Sequence, residues 1–237
     1  MSPRMCWICC LVLTSWCLSA CERRLTVYAD PWLGQYAERV TDAFHAAHPD
    51  VRVELRLLSS EVIAWHIKYG QPVDVFLCFG PDVMDSLDLR GKVDASMALG
   101  KERMLRVAAQ DQGKWDDFKT RGCMALEATH RPGRRYADAW AANAAGLLPQ
   151  CKVYAGFQSQ MREYLLRGWV PQGIVPQRFA LAHPGILTVM DSGPVLQDAY
   201  MAFKIKGNRD ESLANEFFDF IKSEKYAPLL ALEHLIP

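Results

Sequence analysis

Two adjacent serines, Ser59 and Ser60, stand between an apolar stretch with strand spacing and one with helical spacing. Apolar residues alternate with polar ones from Val51 to Leu57, which is typical of a strand, and apolar residues after Ser60 recur at helical intervals. A helix start carries unpaired N–H groups and a partial positive charge, so hydroxyl groups placed there favour anion binding. Two interpretations stay open: the serines bind an anion, or they only cap the helix.

The elements around this serine pair alternate between strands and helices. The sequence predicts strands at 25–29, 51–57 and 73–78, one helix after Trp32 and another over 60–69. This alternation favours parallel pairing in an α/β sheet. Ligands in such sheets lie at the carboxyl ends of the strands, where the helix starts near Trp32 and Ser60 would meet.

The rest of the chain continues in the same manner. We expect strands near 104–109, 123–126, 173–175, 186–189 and 199–204, and helices near 81–89, 134–145, 159–166, 213–221 and from 223 onward. The strands at 105–109 and 199–204 are predicted to cross between two lobes. One lobe would comprise 22–106 with 198–237, and the other 107–197.

Composition and motifs exclude several classes of function. The 237 residues include 27 Lys or Arg and 27 Asp or Glu, so the charge balance gives no support for nucleic-acid binding. No lipase-type serine motif, phosphate loop or zinc-protease motif occurs, so we expect neither an enzyme nor a cofactor. His45 and His48 could touch one metal, but histidines on a helix surface are far commoner, and we predict no metal site.

The N-terminus is typical of an exported lipoprotein. After the basic Arg4, the apolar stretch Met5 to Trp16 is too short to span a bilayer and suits a secretory signal. The following Leu18-Ser19-Ala20-Cys21 resembles the bacterial lipobox, which implies cleavage before Cys21 and lipid on that cysteine. We therefore predict a signal peptide over 1–20 and a chain anchored to a bacterial membrane, facing the periplasm or the exterior. An ordinary signal peptide with an incidental cysteine is the alternative.

Three cysteines remain beyond the predicted anchor. Cys78 lies inside an apolar strand and is most simply a small core residue. Cys123 and Cys151 could form a disulfide because an exported compartment permits one, and the sequence leaves that pairing open.

Five short segments occur in a characteristic order. They are Leu25-Thr26-Val27-Tyr28-Ala29, Ser59-Ser60, Gly70-Gln71-Pro72-Val73-Asp74-Val75-Phe76, Pro171-Gln172-Gly173-Ile174-Val175 and Phe220-Ile221-Lys222-Ser223. Their order and spacing resemble the molybdate-binding proteins of bacterial ABC importers, which are type II periplasmic binding proteins. The resemblance implies an α/β, two-lobed type II periplasmic binding protein fold with two hinge-crossing strands. It also implies a small anionic ligand in the interlobe cleft and an ABC permease as partner, and we expect a monomer.

The resemblance also assigns ligand-binding positions, and the chain departs from it at two of them. Family members hold a tetrahedral oxyanion with two hydroxyls from the first lobe, backbone N–H groups and often a tyrosine from the second lobe. Ser60 matches the second serine position, with Ser59 beside it, but Trp32 stands where the first serine is expected. Pro176 stands where the tyrosine is expected and offers neither a hydroxyl nor an N–H. Asp30 lies close by, and a carboxylate there would repel a dianion.

Arginines near the second-lobe helix start could replace the missing hydroxyls. Pro132-Gly133 resembles the small, turn-forming residues that the family has at this position. Arg131, Arg134 and Arg135 are additional residues around it. A guanidinium binds carboxylate, phosphate or sulfate in bidentate fashion, although these arginines could equally form a solvated helix face. Trp32 either covers a loop or stacks on an organic ligand.

Together these observations predict a ligand site formed by Ser59, Ser60, Trp32, Gly133 and Arg134. The predicted protein is a solute-binding lipoprotein of an ABC importer that binds a molybdate-like oxyanion or another anionic solute. The alternative is an anchored sensor or interaction lipoprotein that keeps the fold and has lost transport.

Overall fold

The computed structural model describes residues 23–80, 82–110, 123–128, 132–144, 146, 148–156, 158–207 and 210–223. The predicted signal peptide, Cys21, Arg131 and the helix predicted beyond Ser223 lie outside the described residues. Strands and helices alternate through most of the described part, as the sequence spacing predicts.

The described residues form eight strands and seven α-helices. The strands are β1 (Arg23–Ala29), β2 (Val51–Leu57), β3 (Val75–Phe79), β4 (Val93–Ala109), β5 (Met124–Glu127), β6 (Lys152–Ala155), β7 (Gln172–Pro176) and β8 (Leu187–Ile205). The helices are α1 (Gly34–Ala47), α2 (Ser60–Lys68), α3 (Val83–Ser86), α4 (Pro132–Asn143), α5 (Gln158–Leu166), α6 (Gln177–Leu181) and α7 (Glu211–Lys222). Short 3-10 turns occur at Pro31–Leu33 and Arg90–Lys92. None of these helices is both long and apolar enough to cross a membrane.

All the strands belong to one sheet with the order β2-β1-β3-β8-β4-β7-β5-β6. β1 pairs in parallel with β2 and β3, and β5 pairs in parallel with β6 and β7. β8 is antiparallel to β3 and to β4, and β4 is antiparallel to β7. The two parallel sets therefore run in opposite directions, with their carboxyl ends facing each other. We call the space between these facing ends the cleft.

Two long strands join the halves of the sheet. β4 has 17 residues and β8 has 19, and the two pair along almost their whole length. The register between them shifts around Gly100 and Glu102. On one side of this shift β8 pairs with β3, and on the other side β4 pairs with β7. The predicted lobe boundaries, after 106 and after 197, stay a prediction.

The prediction of two separate strands at 186–189 and 199–204 was wrong, because both belong to β8. Both segments pair with the same long strand, β4, at Leu187–Val189 and at Tyr200–Ile205. In the fold, a Cβ at Gly193 would lie only 2.8 Å from the indole ring of Trp140, which is itself buried. A glycine at this position lets the helix α4 pack closely on the strand.

Helices cover both faces of the β1–β3 side of the sheet. On one face, α1 and α7 bury Phe44 against Phe217, with ring centroids 5.0 Å apart and nearly perpendicular planes. On the other face, α2 buries Ile63 and Ile67 in a cluster that includes Tyr28 of β1. This packing fixes the start of α2 beside the carboxyl ends of β1 and β3.

A disulfide joins Cys123 to Cys151, with Cα atoms 4.5 Å apart. It connects the starts of β5 and β6 and closes a loop spanning a sequence separation of 28. A crosslink of this kind stabilises a fold by about 2–4 kcal/mol, chiefly by restricting the unfolded chain. Cys78 is a free thiol buried in β3, as its apolar surroundings predict.

Candidate ligand-binding cleft

The serine pair lies at the start of α2, where the sequence predicts it. Ser59 holds the N-cap position, but its side chain makes no capping hydrogen bond. The Ser59 hydroxyl oxygen is buried and has no hydrogen-bond partner among the described residues. Ser60 is the first helical residue and is fully buried. The Ser60 hydroxyl bonds to Asp30 and to the backbone of Phe79, which both lie outside α2. The interpretation that the two serines only cap the helix therefore does not describe this pair.

The carboxylate of Asp30 lies at the start of α2, where an anion would be expected to bind. Its Oδ2 atom accepts hydrogen bonds from the Ser60 backbone N–H at 3.0 Å and from the Ser60 hydroxyl at 2.7 Å. Its Oδ1 atom accepts a hydrogen bond from the Trp32 backbone N–H at 2.9 Å. From the sequence we expected Asp30 only to repel a dianion. The structure shows its carboxyl group occupying the predicted site, with three hydrogen bonds from Ser60 and Trp32.

The environment of Asp30 is dry. The residue is only 5% exposed, and burial raises the pKa of its carboxyl above the usual value. The hydrogen bonds from Ser60 and Trp32 oppose that rise because they stabilise the charged form. The Ser60 hydroxyl oxygen also accepts a hydrogen bond from the backbone N–H of Phe79, at 3.3 Å. Ser60 thus links Asp30 to the end of β3.

Trp32 connects the two sides of the cleft. Its indole N–H donates a hydrogen bond to Oε1 of Glu127, the last residue of β5, at 3.0 Å. Its ring meets the ring of Phe179 in α6 edge-on, with centroids 5.5 Å apart. Trp32 is thus a contact between the two halves of the sheet. Stacking of Trp32 on an organic ligand stays a prediction.

A buried polar cluster lies in the middle of the sheet, where β4 and β8 cross. The Tyr200 hydroxyl donates a hydrogen bond to Oε2 of Glu102 at 2.8 Å, and Nε of Arg178 lies 3.7 Å from the same oxygen. The guanidinium of Arg178 lies over the Tyr200 ring, 4.4 Å from its centroid. Burial raises the pKa of Glu102, and the charge of Arg178 opposes that rise.

Arg178 has hydrogen-bonding capacity left over. Only 8% of it is exposed, and its Nη2 atom is buried without a hydrogen-bond partner among the described residues. It follows Pro176, which stands at the N-cap position of α6 where the resemblance expects a tyrosine. None of Glu102, Arg178 and Tyr200 was expected from the sequence. Arg178 could have been found by the rule that pointed to Ser60, because it too is a polar residue at a helix start after a buried strand.

The arginines of α4 make different contacts from one another. Nε of Arg134 bonds both carboxylate oxygens of Asp138, at 2.8 and 2.9 Å, and its guanidinium lies 5.1 Å from the Tyr154 ring centroid. Nη1 of Arg134 is buried and has no partner in the part of the chain that the structure describes. Arg135 forms an ion pair with Asp82, beyond the end of β3. The interpretation that these arginines form a solvated helix face therefore suits the exposed Arg135 better than the buried Arg134.

The first turn of α4 faces the end of β3. Gly133 lies in this turn, and Tyr136 follows three residues later. The Tyr136 ring meets the Phe79 ring edge-on, with centroids 5.7 Å apart. Burial raises the pKa of Tyr136 to about 12, which keeps its hydroxyl protonated. This contact and the Arg135–Asp82 ion pair bring α4 against the β3 side of the cleft.

The two histidines considered as metal ligands are engaged elsewhere. Nδ1 of His45 lies 2.8 Å from the carbonyl oxygen of Val51, and the His48 ring packs on Phe44 with centroids 4.3 Å apart. Among the described residues, no group of three or more His, Cys, Asp or Glu side chains could hold a metal ion.

Residues 25–231 match the family model for bacterial extracellular solute-binding proteins. The chain belongs to this solute-binding family. No curated protein matches the sequence significantly. The family membership agrees with two parallel strand sets that face each other across a cleft.

Solved structures share the fold at low sequence identity. The periplasmic molybdate-binding protein of Azotobacter vinelandii is 16% identical with a TM-score of 0.68, and the alignment covers 90% of this chain and 99% of that one. Iron-bound HitA from Pseudomonas aeruginosa is 12% identical with a TM-score of 0.65, covering 88% and 84%. The CcmR regulatory domain of Synechocystis, in complex with 2-PG, is 12% identical with a TM-score of 0.60, covering 84% and 95%.

These neighbours confirm the predicted fold class: the chain has the two-lobed type II periplasmic binding protein fold. Their different ligands also show that the fold does not fix what is bound. The identity of the ligand therefore has to be inferred from the residues of the cleft.

Proposed function

We propose that this protein is an extracytoplasmic solute-binding lipoprotein that binds a small anionic solute in the cleft and delivers it to an ABC permease. Membership of the solute-binding family supports solute binding. The lipobox-like Leu18-Ser19-Ala20-Cys21 supports a membrane anchor. Ligand held by both halves of the sheet would stabilise a closed form through its higher affinity for that form.

The proposal of an anionic ligand depends most on Arg178. Buried side-chain donors are nearly always hydrogen-bonded, so a buried guanidinium nitrogen without a partner indicates a missing acceptor. Arg178 provides such a nitrogen, and Ser59 and Arg134 provide two further buried polar atoms that find no partner among the described residues. Ser59 and Arg134 lie at the starts of α2 and α4, where backbone N–H groups and the helix dipole also favour an anion.

Asp30 favours a singly charged solute over a molybdate-like dianion. Its carboxylate already accepts the hydrogen bonds that Ser60 would offer to an oxyanion. A dianion beside it would meet like charge in a dry environment, where repulsion is strong. We therefore assign Ser60 the role of holding Asp30. Ser59, Arg134, Arg178 and the backbone at Gly133 would contact the anionic group, while Trp32 would contact an organic body.

Calorimetry on an Arg178→Lys variant tests this site. The ligand is first chosen by a thermal-shift screen of small carboxylates, phosphates and oxyanions, because a ligand of the folded state raises its stability. Lysine keeps the positive charge beside Glu102 but loses the planar set of donors. We expect affinity to fall by about tenfold or more, since a charge-assisted hydrogen bond contributes roughly 1.5–3 kcal/mol.

Arg167→Lys is the matched control. The side chain of Arg167 is 63% exposed, lies just after α5 and pairs with Glu163 on the surface of that helix. The variant should therefore bind the ligand as tightly as wild type. Equal affinity of Arg178→Lys and wild type for the best ligand would contradict the assignment of Arg178 to the site.

The lipid anchor has its own test. The segment before Cys21 is replaced by a conventional signal peptide that is cleaved without lipid attachment, and Cys21→Ser removes the thiol. We expect this protein in the soluble fraction, because it keeps neither the lipid nor the apolar leader. The wild-type chain should fractionate with membranes. A wild-type chain that lacks lipid on Cys21 by mass spectrometry would contradict the proposal.

A sensor lipoprotein is the second candidate function. The internal anion at Asp30 favours it, because a residue of the chain already fills one anion-binding position. A sensor without a transport ligand would give no thermal shift with any solute in the screen. A strong shift with one solute class would favour the importer.

A further inference from the structure

An exposed aromatic and basic cluster lies at the end of α2. Tyr69 is 73% exposed and Trp65 is 42% exposed. Their rings are stacked, with centroids 5.5 Å apart and planes 13° from parallel. Nζ of Lys68 lies 5.1 Å from the centroid of the Trp65 ring. We call Trp65, Lys68 and Tyr69 the aromatic edge.

The aromatic edge lies at the same end of the sheet as the start of β1. α2 begins at the carboxyl ends of β1 and β3 and ends at Lys68, shortly before β3 begins. It therefore runs back to the amino ends of these strands. β8 ends at the start of β3, because Lys204 pairs with Val75. β4 begins there too, because Val93 pairs with Ile205. The backbone N–H of Lys206 donates to the Lys92 carbonyl at 2.8 Å, and both lysines are exposed.

The proposed anchor is close to this edge. Cys21 precedes Arg23, the first residue of β1, by two positions. Two residues of fully extended chain span at most about 7 Å. Lipid on Cys21 would therefore hold the start of β1, and the edge around it, against the surface of the bilayer.

We propose that the aromatic edge contacts an anionic phospholipid bilayer. Tryptophan and tyrosine favour the headgroup level of membranes, where an apolar ring and a polar group are both accommodated. Lysines near the surface, here Lys68, Lys92 and Lys206, attract anionic lipids. The chain has no net charge, so this attraction depends on the local placement of the lysines. The inference depends on the lipid anchor at Cys21, which is part of the proposed function.

A thiol-reactive fluorophore on Tyr69→Cys tests the contact. The lipidated protein is reconstituted on protein-free vesicles of phosphatidylethanolamine and phosphatidylglycerol that contain a headgroup-linked quencher. The label is specific because Cys78 is buried, Cys123 and Cys151 form a disulfide, and lipid would block Cys21. Met190→Cys is the control: Met190 is 49% exposed and lies on β8, in the half of the sheet remote from β1.

We expect roughly threefold or stronger quenching at position 69 than at position 190, because aromatic-edge side chains would lie at headgroup level. Equal quenching at the two positions, on vesicles that carry the protein, would overturn the membrane contact and leave the anchor standing. A wild-type chain that does not float with the vesicles would overturn the anchor, and the membrane contact with it.

Discussion

Replacing Asp30 with alanine is expected to create a binding site for small anions such as formate and acetate at the start of α2. The substitution removes the acceptor for the Ser60 backbone N–H, the Ser60 hydroxyl and the Trp32 backbone N–H. Each buried donor left without a partner costs about 1–3 kcal/mol, so the variant should be markedly less stable than wild type. A carboxylate from solution can occupy the vacated position and restore those hydrogen bonds.

The size of the rescue follows from binding linkage. An anion present at about a hundredfold its Kd stabilises the folded state by about 2.7 kcal/mol. For a chain of this length, that corresponds to an increase in Tm of roughly 5–10 °C. Thermal unfolding of Asp30→Ala with increasing formate measures it directly, with chloride at equal ionic strength as the salt control. Wild type should shift much less at this site, because Asp30 already occupies it.

Asp30→Asn is the matched control variant. Its side-chain amide fills the same space and keeps one oxygen acceptor, so the position should stay closed to formate. If Asp30→Ala responds to formate no more than Asp30→Asn does, the start of α2 is not an anion-binding position. The hydrogen bonds from Ser60 would then only hold Asp30 in place.

The fold could be predicted from the sequence because it depends on local periodicity. The alternating residues of 51–57 and the helical spacing after Ser60 each lie within one short segment, and both elements formed where they were predicted. The joining of 186–189 and 199–204 into one strand could not be predicted. It depends on pairing with β4, a strand about 100 positions away that both segments contact.

The candidate site was only partly predictable for the same physical reason. Spacing placed Ser60 at a helix start, but the hydrogen bond from Ser60 to Asp30 joins residues 30 positions apart. The hydrogen bond between Tyr200 and Glu102 joins residues 98 positions apart. Pairings at such distances come from the sheet order, which no local pattern of charged residues reveals.

The second large effect is expected at Arg178. Arg178→Gln should destabilise the protein by about 3–5 kcal/mol near pH 8, because it leaves the buried Glu102 carboxylate without its positive partner. Glu102 is only 1% exposed, so water cannot replace the lost charge. The Tyr200 hydroxyl still donates to Glu102 in the variant, but a single hydrogen bond does not compensate for a buried charge.

The loss should depend on pH in a defined direction. Burial raises the pKa of Glu102 above its unfolded value even in the wild type, and Arg178 limits the rise. Without Arg178, the pKa of Glu102 in the folded protein should rise further. The stability contribution of a carboxyl with a raised pKa is fully present below its unfolded pKa and is lost as pH rises through its folded pKa. Arg178→Gln should therefore be close to wild type near pH 5 and lose up to about 1.4 kcal/mol per pH unit above it.

Chemical denaturation of Arg178→Gln and of Arg178→Gln with Glu102→Gln, each at several pH values, separates charge from packing. The double variant has no titrating group at this position, so the pH-dependent part of the loss should disappear, and stability near pH 8 should recover by about 2 kcal/mol or more. The amide that Glu102→Gln introduces would still accept the Tyr200 hydroxyl and fill the same volume. A single variant that loses the same stability at pH 5 and pH 8 would show that Arg178 acts through packing on Tyr200. Its guanidinium would then not be the charge that keeps Glu102 ionised beside the cleft.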